Sequence, residues 1–411
     1  MLRYELKKIF VRKGNRIALF LLVVFWGVSC YCAVTDIDVN FTDGQGKSGY
    51  GYFAAQKLRE AQKAWTGPLT EETVAAVIEK NARIIATPEY NADDAARSNI
   101  AYGWMQDYRD IRNIINCAFC EFRTYDYYRI NSLTPADAAD FYPNRLAALK
   151  TWLDTEAKDL YSDEEKAFFI DHYENMKTPL YYTWKQGWES LLEHAAMPQM
   201  FLVLTLSFVA AGLFAGEFSN RADAVFFTAC HGRGKAIKAK IGAGVLFVTG
   251  AYWIVWGAYS LFVLGTLGAD GASCMIQTGL GGWKSFYNIS YGQLYLLASF
   301  GGYAGTLFFV FLTMLVSAWS RSATVAVTVP FVLIFLPSVL DNLGSDWMSK
   351  LTGLLPDQLF QMDLAVRYFN LYRVGGRLMG ALPILFTVYT ALALLCLPVC
   401  YRVFRRAGRG R

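Results

Sequence analysis

Six long stretches of this chain carry no Asp, Glu, Lys, Arg or His: Ile17–Val34, Met197–Gly216, Ile241–Leu267, Leu294–Ser320, Ala323–Leu340 and Leu378–Tyr401. Roughly 20 helical residues cross a bilayer core of about 30 Å, and each stretch meets that requirement within a few residues. Ion-coupled carriers keep carboxylates or histidines inside the helix bundle to bind protons or sodium, so the bare stretches argue against that energy source. Histidine is scarce throughout, with His172, His194 and His231 alone. Neither His-Glu-x-x-His nor Gly-x-Ser-x-Gly occurs, and carboxylate neighbours such as Asp93 with Asp94, or Glu164 with Glu165, read as solvated or capping residues. Catalysis therefore finds little support. A phosphate-binding loop is also missing, because Gly44-Gln45-Gly46-Lys47-Ser48 has Phe41 where that loop needs its first glycine. No cleavable signal peptide is expected, since the first apolar stretch is too long and no small-x-small site closes it.

What is present is apolar surface: 54% of residues are hydrophobic, 16% are aromatic and only 18% are charged, which is too apolar for an ordinary soluble domain. The net charge of +5 is modest. Its basic residues flank the apolar stretches instead of forming one stripe, so no nucleic-acid partner is expected and a membrane-orientation role fits. Arg3, Lys7, Lys8, Arg12, Lys13 and Arg16 precede the first stretch. Arg221, Arg233, Lys235, Lys238 and Lys240 follow the second, Arg321 follows the fourth, and Arg402, Arg405, Arg406, Arg409 and Arg411 follow the last. The alternate loops hold only Lys284, Lys350, Arg367, Arg373 and Arg377. The positive-inside rule places both termini in the cytoplasm.

The expected fold is all-α: a six-transmembrane-helix membrane protein with a mainly helical extracellular domain. Residues 1–16 form a cytoplasmic interfacial helix with Leu2, Leu6, Ile9 and Phe10 on one face. Residues 17–34 are the first span, 35–196 the extracellular domain, 197–216 the second span and 217–240 a cytoplasmic loop. Residues 241–401 hold the other four spans, with an outer gate region at 341–377, and 402–411 are a cytoplasmic tail. The outer domain holds most of the 34 acidic residues. Its helices announce themselves by Thr70 before Glu71-Glu72, by Thr134-Pro135 opening a run toward Leu153, and by the capping-box spacing of Ser162 and Glu165. The helix from about Thr183 is expected to continue into the second span.

The segment after the second span carries the most information. It reads Leu213-Phe214-Ala215-Gly216-Glu217-Phe218-Ser219-Asn220-Arg221-Ala222-Asp223-Ala224-Val225-Phe226-Phe227, and continues through Gly232-Arg233-Gly234-Lys235 to Ala239-Lys240-Ile241. This resembles the permease subunits of the type-2 ABC exporter family of Gram-positive bacteria, in which the second span ends in a Phe-x-x-Glu element. A short cytoplasmic helix follows there, then a Gly-Arg element ending in Ala-Lys that opens the third span. Gly67-Pro68-Leu69-Thr70, Tyr182, Gly187-Trp188 and Leu355-Pro356-Asp357 also resemble family elements, and one span, a large outer domain and five further spans is the family topology. Asn220, Arg221 and Cys230-His231 depart from it.

The resemblance implies a multi-pass protein of the bacterial plasma membrane that exports an amphipathic or peptide-like substrate. It implies a separate ABC ATPase subunit carrying ATP and Mg, no cofactor on this chain, and a second permease, identical or related, completing a dimer among membrane lipids. It makes the loop a coupling helix, with Glu217, Phe218, Arg221, Asp223, Phe226, Phe227, Arg233 and Lys240 as the ATPase-coupling residues. In physical terms, apolar knobs fill a groove on the motor and flanking charges set register.

Two patterns stay open in the sequence. Gly301 and Gly305 have small-xxx-small spacing, which fits a close helix–helix contact within the subunit or across a dimer, or simple tolerance of glycine in membrane helices. Cys117 and Cys120 have redox or metal spacing, but on an apolar stripe with Ile111, Ile114, Ile115 and Phe122 they fit core packing, with an outer-face disulfide or a metal site as alternatives. A different class of function, a membrane sensor or mechanical transmitter whose outer domain binds a ligand or envelope partner, also fits the pattern.

Overall fold

The computed structural model describes residues 1–36, 39–341 and 346–407. Part of the outer gate region (342–345), two residues early in the polar region (37 and 38) and the tail residues 408–411, with Arg409 and Arg411, lie outside the described residues.

The chain opens with α1 (Leu2–Val11) and α2 (Lys13–Val34), separated by one extended residue, Arg12. The polar region then runs through α3 (Tyr52–Gln62), α4 (Glu71–Ile85), α5 (Ala95–Trp104), α6 (Arg109–Phe119), α7 (Phe141–Asp154), α8 (Asp163–Glu174) and α9 (Gln186–Glu193). The expected caps form: the Thr70 hydroxyl accepts from the Thr73 N–H, and Ser162 and Glu165 make a reciprocal capping box. Gly44-Gln45-Gly46-Lys47-Ser48 lies at the turn of a two-stranded ribbon, where the Asp43 carboxylate accepts from the Gln45 and Lys47 N–H groups.

The remaining helices are α10 (Ala196–Ser219), α11 (Asp223–Thr228), α12 (Ile237–Leu267), α13 (Tyr291–Ser320), α14 (Ala323–Asp341), α15 (Asp346–Thr352), α16 (Met362–Ala365) and α17 (Ala381–Ala407). Five helices among the described residues, α2, α10, α12, α13 and α17, are long and apolar enough to cross a membrane. The apolar stretch of α14, Ala323–Pro337, is shorter and carries Pro330 and Pro337. The central pair is α10 and α13, with Leu202, Val203, Leu206 and Phe214 of one and Phe309, Val310 and Met314 of the other all buried. The outer faces are covered by exposed Ile17, Phe20, Ile254, Leu261, Leu394 and Leu395. Such a surface suits lipid, and helices, whose backbone groups are all paired internally, suit it too.

The polar region has two apolar cores, one around Val77, Ile111, Ile115 and Phe141 and one around Leu149, Trp152 and Phe169. It is pinned to one end of the apolar bundle by side-chain donors. Trp184 Nε1 donates to Leu267 O (2.6 Å), Trp188 Nε1 to Ala269 O (3.1 Å), and Arg145 to Trp283 O (3.0 Å) and Ser285 O (2.9 Å).

Several boundaries differ from the sequence reading. The helix expected from Thr183 begins only at Gln186, after a strand at Tyr181–Tyr182, and breaks at His194. Pro198 lacks the N–H that would bond to the His194 carbonyl, so the two helices do not fuse. The last apolar helix begins at Ala381 and not at Leu378, because Arg377–Gly380 pairs with Leu371–Val374 around Gly375 and Gly376. Those glycines have φ of 58° and 80°, the left-handed pair that a two-residue hairpin turn requires. The second apolar helix continues past Gly216 to Ser219, so Glu217 and Phe218 are helical and not part of a loop.

Candidate functional site

At the end of the bundle away from the polar region, four charges form a closed ring. The Lys240 ammonium donates to Glu217 (2.6 Å) and Glu5 (3.1 Å), and Lys8 donates to Glu5 (2.9 Å) and Glu217 (3.4 Å). Lys240 donates as well to Leu213 O at 3.0 Å and is almost fully enclosed. Two acids and two bases neutralise one another, which is what allows them to leave water. Helix α1 supplies Glu5 and Lys8, α10 supplies Glu217 and α12 supplies Lys240, so the ring welds three helix ends. The neighbouring Arg12 guanidinium donates to Gly212 O at 2.7 Å. It lies where a Cβ on Gly212 or Gly216 would stand, so a side chain at either position would push the guanidinium aside.

The connector between α10 and α12 packs inward. Phe404 of α17 is ringed by Phe214, Phe218, Phe226 and Phe227, at centroid distances of 4.7, 5.8, 5.7 and 5.3 Å. The Lys240 ammonium stands 5.4 Å from the Phe226 ring centroid, a cation–π distance. This differs from the expectation of outward knobs: Phe227 is buried and Phe226 half-buried against their own bundle, and the exposed apolar residues of α11 are Ala224 and Val225, the latter 74% exposed. Asp223 is buried, while Arg221 and Arg233 are exposed. Arg221 has φ of 55°, and Arg321, which caps α13, has φ of 58°. Both basic residues sit at left-handed chain reversals at this same end, with Arg321 5.1 Å from the Phe218 ring.

Gly301 and Gly305 resolve as a contact within the subunit. A Cβ on Gly305 would come within 3.0–3.2 Å of Phe360 and Leu359, and one on Gly301 would meet Met362. The apolar turn Pro356–Phe360 lies in this trough, with Leu359 and Phe360 fully buried and Phe360 stacked on Phe309 at 5.8 Å. It carries Asp357 in with it, 2% exposed, whose carboxylate accepts from Gln358 and Gln361 at 3.2 Å. The bundle is therefore less bare than its six stretches are, since a carboxylate reaches it from the segment between α14 and α17.

A polar cavity of about 220 Å³ at the other end was not anticipated. Lys185, almost fully enclosed, bridges Asp110 (3.2 Å) and Glu189 (3.1 Å). Glu189 accepts from the Tyr291 hydroxyl at 2.6 Å, and Asp110 from Tyr182 at 3.2 Å. Burial works against the charge of Asp110, but Lys185 and then Arg109 hold its carboxyl below the usual carboxylate range. Asp363, paired with Arg367, is instead pushed above the usual carboxylate range by burial. The i,i+4 spacings Lys185/Glu189 and Asp363/Arg367 were the visible signal; that the two pairs face one cavity was not.

Cys117 is buried, Cys120 is partly exposed, and all eight cysteines are free thiols; Cys117 belongs to the polar region's core. Among the described residues no group of three or more His, Cys, Asp or Glu is placed to hold a metal ion. No protein-family model matches the chain, and no curated protein or solved structure is significantly similar to it.

Proposed function

We propose that this chain is the permease subunit of an ATP-driven bacterial exporter of the type-2 ABC kind. It crosses the plasma membrane six times, with α14 as the sixth span, and moves an amphipathic or peptide-like substrate. Residues 35–196 lie outside the cell and both termini inside. A separate ABC ATPase presses on the connector, and a second permease completes the pathway. The observation that supports this reading most is the gathering of α1, the connector, Arg321 and the end of α17 at one end of the bundle, with the acidic region pinned to the other. A push on α11 reaches α10 and α12 through the Glu217–Lys240 pair and α17 through Phe404, which is the mechanical coupling an external motor needs.

The test is co-purification from native membranes in mild detergent with mass spectrometry of bound proteins, followed by ATPase assays. An ATP-binding-cassette subunit is expected, with hydrolysis stimulated by the permease. Val225→Glu, which alters the exposed side of α11 and leaves the inward phenylalanines alone, is expected to reduce that stimulation with membrane insertion retained. A chain that purifies without any ATPase removes the proposal.

A relay function is favoured by one observation: a polar cavity lies at the junction of the polar region and the bundle end. In that reading the outer region binds a ligand and the helices report its state.

A further inference from the structure

A second cavity, of about 450 Å³, lies between α7, the loop before α13 and the chain on either side of α16. Pockets of several hundred Å³ accommodate small organic ligands. Its charged lining residues are Arg123, Lys284, Lys350 and Arg367, and no Asp or Glu is among the described residues that line it. That is the reverse of the region around it, which is acidic. Lys350 and Arg367 are paired with Glu165 and Asp363, neither of which lines the cavity. Lys284 is not: its hydrogen-bond acceptor is the Thr124 carbonyl at 3.4 Å, and burial pushes its ammonium below the usual lysine range. Arg123 lies 5.1 Å from the Trp152 ring and Lys284 5.7 Å from the Phe122 ring. Beneath these cations is an aromatic floor, with Phe122 stacked on Trp152 at 4.6 Å and Phe369 edge-on to both at 5.4 and 5.6 Å. Among the described residues neither Arg123 nor Lys284 pairs with a carboxylate, and cations held on aromatic faces in this way keep donors available to an incoming anion.

We infer that this cavity binds an anionic amphiphile, its carboxylate or phosphate head set between Arg123 and Lys284 and its apolar body laid against Phe122, Trp152 and Phe369. The site stands apart from the charged ring at the other end of the bundle and does not depend on what drives the protein. The same chemistry is offered by a soluble organic acid and by an acidic lipid.

The experiment is calorimetric titration of the full-length chain, in phosphatidylcholine nanodiscs, with 4-phenylbutyrate and with 4-phenylbutylamine as a charge-reversed probe of similar size. The acid is expected to bind and the amine not. Lys284→Gln is expected to weaken the acid about tenfold, the value of one charge-assisted contact, and Arg123→Gln to do the same. Both variants are checked for an unchanged thermal midpoint; should Lys284→Gln lose its fold, the exposed Arg123 position carries the test. Equal affinity for acid and amine, no acid binding up to millimolar concentrations, or unaltered acid binding by a folded variant overturns the inference. Repeating the titration in discs containing phosphatidylglycerol separates the sources. Loss of 4-phenylbutyrate binding there identifies a lipid as the occupant, retention identifies a soluble anion, and either outcome supports the site.

Discussion

Replacing Lys240 with methionine removes the ammonium that both carboxylates of the charged ring share. Glu5 and Glu217, whose side chains are each 11% exposed, are then left with Lys8 alone, itself 48% exposed. Breaking a buried ion pair from one side costs about 3–5 kcal/mol, because the other charge stays enclosed without compensation. Lys8 remains within 3.4 Å of both carboxylates and softens that loss, so about 3 kcal/mol is expected. Lys8→Met, at a half-exposed position, should cost at most about 1 kcal/mol. The double variant Glu217→Gln/Lys240→Met restores balance, since Glu5 and Lys8 still neutralise each other. It is expected within about 1 kcal/mol of the parent, as buried pairs exchanged for neutral groups commonly are. Steric-trap unfolding in bicelles gives the required equilibrium free energies. The reasoning is refuted if Lys240→Met loses no more than Lys8→Met, or if the double variant loses the sum of its singles.

In the folded chain the Lys185 ammonium and Arg109 hold the Asp110 carboxyl below its ordinary range, against the opposing effect of burial. The stability this adds is fully present above the ordinary carboxylate range and is lost as the pH falls below it. Thermal midpoints followed from pH 6 down to about 2 should show a shallower acid limb in Asp110→Asn, which starts from a lower plateau. Gly305→Val presses on Phe360 and Leu359 and should cost about 1–3 kcal/mol; Gly250→Val, with open space where its side chain would go, should be close to neutral in the same melt. Phe404→Ala empties the centre of the phenylalanine cluster and should cost about 3–5 kcal/mol, with hydrogen exchange across 223–228 accelerated more than across α7.

Elements governed by neighbours along the chain are legible in the sequence. Helices α4 and α8 start at the caps that Thr70 and Ser162 mark, and the apolar helices follow from runs of residues that no other solvent suits. The candidate site is legible as a segment and not as an arrangement. Phe226 and Phe227 look like knobs for a partner because the residue they pack on, Phe404, is far along the chain. Glu217 and Lys240 stand out, but their ring needs Glu5 and Lys8 of α1, which local pattern offers only as a basic flank. The start of α17 is misplaced by pattern because Leu378 and Met379 are as apolar as a span, and only the pairing across Gly375 and Gly376 makes them a strand. Both cavities escape for the same reason: their charged residues come from several well-separated segments.

The measurement that bears most directly on the account is residue-by-residue thiol accessibility in intact cells. The parent chain offers exposed Cys230 on the connector, and Lys158→Cys places a thiol at an exposed position of the polar region. A membrane-impermeant maleimide, with labelled peptides read by mass spectrometry, should modify position 158 in intact cells and Cys230 only after permeabilisation. Labelling of Cys230 in intact cells, or protection of both positions alike, contradicts the assignment of the two ends to opposite sides of the membrane.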